Sequence, residues 1–213
     1  MLINQFKQKI QTEPGWKHLP LERIDRAQQL PKQVDLTHAT HWSCGPHSGY
    51  RALILNGDRT SINGLRSFID NCPKSLGTPQ TKPGKILNVV TGGIASGIGL
   101  LKGDVGPDPS SLANYINKHS KSKVQRYIGK DWDSFWTQLC RDIDRAEPAI
   151  ILLEGGTISL HYINLIGYNP NNQTVAILDP NNAIEFCSKS EFKHKAKITV
   201  PYIRGTWNAV RFY

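Results

Sequence analysis

Cysteine is scarce in this sequence, and the few cysteines are scattered. The 213 residues contain four of them, with no Cys-x-x-Cys pair and no cluster of cysteine with histidine. In a chain of this length, that pattern argues against a disulfide scaffold and against a structural zinc site. We therefore expect reduced thiols, as in a cytosol-like compartment, and no cofactor.

Long apolar runs are absent as well. No window approaches the roughly 18 apolar residues that a membrane-spanning helix needs. Residues 1–8 have no apolar stretch of the kind that a secretory signal contains. We therefore expect no membrane partner. The protein is predicted to be cytoplasmic, or to be delivered into another cell without a cleavable signal, and secretion stays open as an alternative.

Acidic residues are the minority charge. The chain has 17 Asp and Glu against 26 Lys and Arg, and its formal net charge is +9. The basic residues are dispersed, apart from a mild concentration at Lys189, Lys193, Lys195 and Lys197. A solvated basic surface is the ordinary interpretation, and attraction to an acidic substrate or partner is the alternative. No nucleic-acid-binding motif is present, so we expect no specific nucleic-acid partner. The oligomeric state stays open.

Apolar residues follow helical spacing in the first two thirds of the chain. Gly57 stands where a helix-ending glycine belongs, Asp108-Pro109 is a typical helix start, and Asp131 caps an amphipathic helix. We assign the aromatic stripe of that last helix to the core. The pattern predicts helices over residues 21–30, over 45–56, from a cap at Thr60 or Ser61 to 69, from 108 past 116, and from 131 to 143.

Strand-like runs fill the last third of the chain, after one earlier strand at residues 124–128. The later predicted strands cover residues 149–153, 160–168, 174–178, 183–186, 198–203 and 207–212. Residues 169–173 are typical of a hairpin turn between the second and third of these. Helices first and an antiparallel sheet later predict an α+β fold with segregated lobes.

Three residues are the best candidates for a chemical site. Cys44 stands at a predicted helix start that Gly45-Pro46 favours, His161 opens an apolar strand, and Asp179 ends the next strand. A cysteine becomes a useful nucleophile when a helix N-terminus or an imidazolium stabilises its thiolate. An acid at the other imidazole nitrogen fixes the tautomer. The hairpin between the two strands can bring His161 and Asp179 to one end of the sheet.

Each of the three residues also has a purely structural explanation. Cys44 can be a small buried hydrophobe, His161 a hydrogen-bonded core histidine, and Asp179 part of an ordinary Asp-Pro-Asn-Asn turn. The glycine–proline context and the combination of the three favour the chemical interpretation. The other cysteines lack such settings and are predicted to be inert: Cys72, Cys140 and Cys187.

Four motifs occur in a fixed order along the chain. They are Cys44-Gly45-Pro46, the apolar run 148–153, the strand 161–168 with its HYxxxxGY pattern, and the run 175–180, which ends in Asp-Pro. This ordered set, between about residues 40 and 195, resembles the papain-like cysteine peptidase superfamily. Within it, the set is most similar to the double-glycine (bacteriocin-leader) peptidase-like branch. Gly106 to Pro109, before an amphipathic helix, also fits.

The resemblance implies a papain-like α+β fold. An N-terminal helical lobe would carry the nucleophile, and a C-terminal antiparallel β lobe would carry the histidine and the acid. We accordingly expect a single catalytic domain over residues 1–213. Its predicted parts are an N-terminal extension (1–40), a mainly helical lobe (about 41–145) and a β lobe (about 146–213).

The resemblance also implies a role for each site residue. Cys44 would attack an acyl carbon, His161 would relay the proton, and Asp179 would orient His161. The superfamily usually has a glutamine shortly before the nucleophile, which donates a hydrogen bond to the oxyanion, and here that position is His38. His38 or His41 is the candidate replacement. The histidines near the thiol do not complete a ligand set, so we predict no metal site.

These observations predict a cysteine peptidase that cleaves a peptide or isopeptide bond through an acyl-enzyme. An acyltransferase, a transglutaminase-like enzyme or a glutamine deamidase would use the same three residues and stays open as an alternative. A catalytically silent basic binding module is the second alternative, which the missing glutamine favours. The expected partner is a protein or peptide substrate, and the net charge favours an acidic one.

The stretch 71–107 is rich in glycine and proline. Glycine-rich loops can cradle phosphates, but here no Gly-Lys-Ser/Thr follows and no strand–helix frame is evident. We therefore interpret the stretch as a long, partly ordered connection. Because it lies between the Cys44 helix and the Asp108 helix, we hypothesise that residues 77–106 border the substrate cleft and set specificity.

Overall fold

The computed structural model of the protein describes residues 2–32, 43–58, 62–72, 107–155, 159–198 and 206–213. Seven helices and eight strands lie within these residues. The helices are α1 (Ile3–Thr12), α2 (Leu21–Gln28), α3 (Cys44–Leu55), α4 (Ile62–Asp70), α5 (Pro109–His119), α6 (Trp132–Asp144) and α7 (Lys189–Ala196). The strands are β1 (Lys17–His18), β2 (Val124–Gly129), β3 (Ala149–Gly155), β4 (Ser159–Asn169), β5 (Thr174–Leu178), β6 (Ile184–Ser188), β7 (Lys197–Ile198) and β8 (Thr206–Phe212).

These strands form one antiparallel sheet. Its order is β2-β8-β3-β4-β5-β6, with β1 paired to β4 and β7 paired to β8. The consecutive strands β3, β4 and β5 are neighbours in the sheet, as expected for hairpin-connected strands. Helices dominate the first half of the chain and strands the second, so the predicted α+β class is confirmed.

The predicted helix signals correspond to observed helix ends. Gly57 adopts a φ of 92° directly after the C-cap of α3 and donates its backbone N–H to the Ile54 carbonyl oxygen at 2.9 Å. Such a left-handed conformation favours glycine. Asp108 and Asp131 are the N-caps of α5 and α6, and each carboxylate accepts a backbone N–H of its own helix. The predicted caps Thr60 and Ser61 lie outside the described residues.

The predicted strands match the sheet with small differences in their ends. β5 has the predicted limits, and β2, β3, β4 and β8 each extend slightly past theirs. β6 begins one residue later and ends two residues later than predicted. The strand predicted for residues 198–203 is described only at its first residue, which belongs to β7. The aromatic stripe on α6 is core as predicted, because Phe135 is fully buried and Trp132 packs against Trp207 at a centroid distance of 5.6 Å.

Two helices, α1 and α7, are missing from the prediction. Residues 1–40 are mostly polar, yet α1 buries Ile3 and Phe6 on one face. The short α7 buries only Phe192 and Ala196, so its apolar periodicity is weak. Its start nevertheless carries a recognisable signal, a reciprocal capping box between Ser188 and Glu191. Tertiary burial, rather than helical periodicity, explains why both segments fold.

The sheet contains strands from both sides of residue 146, the predicted boundary between the two lobes. β1 and β2 precede that residue, and β1 joins the N-terminal segment to β4 through the pairs Lys17–Tyr168 and His18–Gly167. The division into a helical lobe and a β lobe near residue 146 stays a prediction. None of the described helices has both the length and the apolar character required to span a bilayer.

The cap of α5 provides a test of helix stability next to the candidate site. Asp108 accepts the backbone N–H groups of Ser110 at 2.8 Å and Ser111 at 3.2 Å. We expect Asp108→Ala to lower the free energy of unfolding by about 1 kcal/mol, because two helix-end donors lose their acceptor. Asp108→Asn keeps the acceptor oxygen and should lose much less. Urea denaturation measures both variants, and equal losses would contradict a capping role.

Candidate active site

Cys44 is the first residue of α3, as its glycine–proline context predicts. All twelve residues of this helix are buried, and Cys44 itself is 4% exposed. A methyl group on Gly45 would lie 3.1 Å from both Pro107 Cγ and Tyr162 Cδ2. Glycine therefore allows the start of the helix to lie directly against these two side chains. The Tyr162 hydroxyl donates to the Pro107 carbonyl oxygen at 2.7 Å, which fixes this side of the Cys44 environment.

Two buried hydrogen bonds fasten α3 to β4. The Ser48 hydroxyl donates to the Tyr162 carbonyl oxygen at 2.9 Å, and the Asn164 side-chain amide donates to the Ser48 carbonyl oxygen at 3.0 Å. Ser48 lies about one helical turn after Cys44, and Tyr162 directly follows His161. The contact therefore fixes the helix that carries the thiol relative to the strand that carries the imidazole.

His161 and Asp179 form a direct pair. His161 Nε2 donates to Asp179 Oδ2 at 2.6 Å, and the two side chains are 33% and 16% exposed. Asp179 directly follows β5, and the β4–β5 register pairs Asn164 with Leu178. Antiparallel pairing therefore brings the start of β4 alongside the end of β5. The separation of 18 residues leaves this register open in the sequence, and the structure supplies it.

The His161 imidazole is held in a strongly cation-stabilising environment. Burial by itself would lower its pKa, but hydrogen bonds to Asp179 and to the Cys44 thiol, with the charges of both groups, raise it from 6.5 to about 10. Because Nε2 is occupied by Asp179, Nδ1 is the ring nitrogen left for the thiol. The structure thus joins His161 to Asp179 by a hydrogen bond and places Cys44 close enough to His161 to influence the pKa of the imidazole.

Both oxygens of the Asp179 carboxylate are engaged. Oδ2 accepts from His161, and Oδ1 accepts the backbone N–H of Asn181 at 2.7 Å. Burial would raise the pKa of Asp179, but these two hydrogen bonds, with the charges of His161 and Arg51, hold it below its usual value. The backbone N–H of Asp179 also donates to the Ala183 carbonyl oxygen at 2.9 Å, which closes the turn. The carboxylate is therefore ionised and fixed in direction.

Two buried basic residues of α3, His47 and Arg51, are missing from the predicted site. Both lie close enough to Asp179 for the charge of its carboxylate to act on them. Both are fully buried, and Arg51 Nε donates to His47 Nδ1 at 3.3 Å. Burial and the Arg51 charge lower the pKa of His47 to about 3, so its ring is neutral at neutral pH. Burial lowers the pKa of Arg51 to about 10, and the Asp179 charge opposes that shift. An arginine within the apolar run 50–55 is the signal that sequence reasoning overlooked.

The other cysteines have surroundings that keep them protonated. Burial raises the pKa of Cys72 to about 12 and that of Cys140 to about 12. Burial also raises the pKa of Cys187. Their thiols therefore hold their protons at neutral pH, and each lies in the structure as a free cysteine.

Several predicted features lie outside the described residues. These are His38 and His41, the two candidate oxyanion donors, and the stretch 77–106, the proposed cleft border. Among the residues that are described, no group of three or more His, Cys, Asp or Glu side chains could hold a metal ion.

Comparisons with known proteins give one family match. The family model described as "Peptidase_C39 like family" matches residues 88–202, which are 115 of the 213 residues of the chain. The matched region includes His161 and Asp179, whereas Cys44 lies before it. Among curated proteins, none matches significantly. The chain is also similar to a solved structure, the avirulence protein AvrPphB of Pseudomonas, at 12% identity and a TM-score of 0.32, over 89% of this chain and 99% of that one.

The His161–Asp179 pair predicts a measurable titration. We expect the His161 ring to titrate well above pH 6.5 in the wild-type protein and at clearly lower pH in Asp179→Asn, because the amide cannot stabilise the imidazolium with a full charge. Histidine NMR signals followed against pH measure this shift. Asp144→Asn is the matched control, because Asp144 accepts a hydrogen bond from Tyr168 near the opposite end of β4. An unchanged His161 titration in Asp179→Asn would contradict the observed pairing.

The same pair makes stability depend on pH. A histidine whose folded pKa is raised to about 10 contributes stability that is complete below its unfolded value of 6.5 and disappears as pH rises through about 10. The free energy of unfolding should therefore decline between these two pH values. In Asp179→Asn the decline should be smaller, and in Asp144→Asn it should match the wild type.

Proposed function

We propose that this chain, which belongs to the Peptidase_C39-like family, cleaves peptide or isopeptide bonds with Cys44 as nucleophile. The family match confirms the predicted resemblance to the papain-like cysteine peptidases. Membership in a peptidase family supports hydrolysis of an amide bond as the reaction class. The family match gives no support for Cys44 as the nucleophile, because Cys44 lies outside the matched residues. The assignment of Cys44 therefore depends on the geometry of this chain.

A single observation carries the proposal. One imidazole, His161, is hydrogen-bonded to an ionised carboxylate at 2.6 Å and lies close enough to Cys44 for the thiol to raise the pKa of the ring. A carboxylate that stabilises an imidazolium makes the ring a better proton acceptor for the thiol. The position of Cys44 at the start of a helix adds stabilisation of the thiolate by the helix dipole. The Asp179 carboxylate, the His161 imidazole and the helix start therefore all favour transfer of the Cys44 proton to His161.

The reaction follows from these contacts. The Cys44 thiol transfers its proton to His161, and the thiolate attacks the carbonyl carbon of the scissile amide. The C–N bond breaks as His161 returns the proton to the leaving amine, which leaves an acyl thioester on Cys44. His161 then removes a proton from water, which attacks the thioester and releases the carboxylic acid with the thiol restored. General acid–base catalysis of this kind contributes on the order of 10²–10⁴ in rate.

The oxyanion requires hydrogen-bond donors near Cys44. The backbone N–H of Cys44 belongs to the first turn of α3, where backbone donors lack a partner within the helix. We assign this N–H as one donor. His38 or His41 is the proposed second donor in place of the usual glutamine. Each such donor contributes on the order of 10²–10³ in rate.

The substrate is proposed to be an acidic protein or peptide. The net charge of +9 raises the local concentration of anionic chains and accelerates their association with the protein. This attraction weakens with ionic strength because salt screens exposed charges. The stretch 77–106 remains the proposed border of the cleft. The protein is proposed to act in the cytoplasm of its own cell or of a cell into which it is delivered.

Selective alkylation tests the proposed nucleophile. We expect iodoacetamide at about pH 6 to modify Cys44 about tenfold faster than the other three cysteines, because His161 can take up the thiol proton and the helix start stabilises a negative charge on sulfur. Cys72, Cys140 and Cys187 are internal controls, since burial raises the pKa of each. His161→Ala should abolish the selectivity while the protein stays folded. Peptide mass mapping after short exposure gives the rates, and equal modification of all four thiols would exclude the proposed mechanism.

Product mass separates hydrolysis from the other reactions of the same acyl-enzyme. With acidic peptides as substrates, we expect two fragments whose summed mass exceeds the substrate by one water, about 18 Da. A gain of about 1 Da on glutamine would instead identify a deamidase, and loss of ammonia with a new cross-link a transglutaminase. Cys44→Ala is the control. A reactive Cys44 without any of these products would favour the catalytically silent binding module.

A further inference from the structure

Helix α3 carries a fully buried arginine two turns after Cys44. The Arg51 guanidinium donates to four oxygen acceptors from distant parts of the chain. They are the carbonyl oxygens of Ala27, Pro31 at 3.2 Å and Pro180 at 3.0 Å, and the side-chain Oδ1 of Asn182. Its third nitrogen, Nε, donates to His47 Nδ1. Such a planar fork with several fixed donors is a property that lysine lacks.

The acceptors of Arg51 fall into two groups. Ala27 lies in α2 and Pro31 shortly after it, whereas Pro180 and Asn182 belong to the turn that directly follows Asp179. One side chain therefore connects the N-terminal segment, the Cys44 helix and the Asp179 turn. Because the guanidinium is excluded from water, none of its partners can be replaced by solvent without local opening.

The turn contains a residue in a left-handed backbone conformation. Asn182 has a φ of 69°, in the left-handed region that non-glycine residues rarely adopt. Besides its contact with Arg51, its side-chain amide donates to the Leu30 carbonyl oxygen at 2.7 Å, and its own carbonyl accepts from Gln28 at 2.7 Å. Its backbone N–H donates to the Asp179 carbonyl oxygen at 2.9 Å. These contacts impose the conformation that places Asp179 beside β4.

The charge of Arg51 acts on the same carboxylate. Among the described residues, the guanidinium forms no direct ion pair, and its hydrogen bonds go to neutral acceptors. Asp179 is the anion whose field opposes the loss of charge on Arg51, and Arg51 in turn favours the ionised form of Asp179. The His47 ring accepts a hydrogen bond from the guanidinium. Because this ring is neutral, it does not compete with Arg51 for the Asp179 carboxylate.

We propose that Arg51 is a positioning residue that fixes the turn 179–182 so that the Asp179 carboxylate is presented to His161. The assignment deepens the proposed function, since Asp179 is the residue that orients His161 there. A network that merely stabilises the fold would have the same contacts. The two roles differ in their effect on the His161 imidazole in protein that is still folded.

Substitutions of Arg51 separate charge from geometry. Arg51→Lys keeps the charge but loses the fork, and Arg51→Met removes both. In folded Arg51→Met, we expect the NMR titration midpoint of His161 to fall by about one pH unit or more, because Asp179 is no longer held against the ring. Alkylation of Cys44 at about pH 6 should slow about tenfold. Arg51→Lys should give intermediate values, which a purely electrostatic role would not produce.

Asn182→Gly decides the question if substitution of the buried arginine prevents folding. Glycine tolerates the left-handed conformation, so this change removes only the side-chain contacts with Arg51 and Leu30. We expect a smaller fall of the His161 midpoint in the same direction. Folded Asn182→Gly and Arg51→Lys proteins that both titrate as the wild type would overturn the proposal.

Arg211→Met is the matched control. Arg211 forms an ion pair with the buried Asp142, with Nη2 2.6 Å from Oδ1, on the β8 side of the sheet. Its loss should lower stability and leave the His161 midpoint unchanged. An equal shift in this control would show that general destabilisation moves the midpoint, and the proposal would fail.

The two proposals fail in different ways. A His161 midpoint that depends on Arg51, together with an unreactive Cys44 in the wild type, would leave the positioning role intact and remove the peptidase mechanism. A reactive Cys44 with a midpoint that is indifferent to Arg51 and Asn182 would do the reverse.

Discussion

The docking of α3 on β4 is the interaction on which the candidate site depends. Ser48 accepts from Asn164 through its carbonyl oxygen and donates to the Tyr162 carbonyl through its hydroxyl, in a region without water access. Hydrogen bonds in such a region are strong, and a broken one leaves an unsatisfied polar group, which is costly. Helix and strand therefore have one favourable mutual position. Because Cys44 and His161 lie at the adjacent ends of these two elements, their proximity follows from that position.

The part of the site that could be predicted from the sequence has local signals. A glycine and a proline mark the helix start at Cys44, and turn residues separate the strands that carry His161 and Asp179. Chain order and hairpin topology then place the last two residues at the same end of the sheet. The β4–β5 register that brings His161 and Asp179 together includes an irregularity between Leu165 and Gly167, which no local sequence pattern indicates.

The missed part of the site consists of contacts between distant segments. Arg51 is bound by acceptors near residue 30 and near residue 181, and the burial that makes it informative exists only in the folded chain. Helix α1 was overlooked for a related reason, since Phe6 becomes core only when it packs against Trp16 and Phe186. Periodicity detects a face that is apolar along one segment, but not a polar side chain whose partners come from elsewhere.

The burial of α3 along its whole length has a consequence for how the candidate site comes apart on heating. Local opening in folded proteins usually begins in segments with few buried contacts, while the core separates only on global unfolding. Cys44 is the first residue of a helix that belongs to this core, in contrast to active sites that are carried on surface loops. On heating, Cys44 and His161 should therefore separate only when the core around α3 melts, without an earlier stage in which the fold is intact and the two residues are apart.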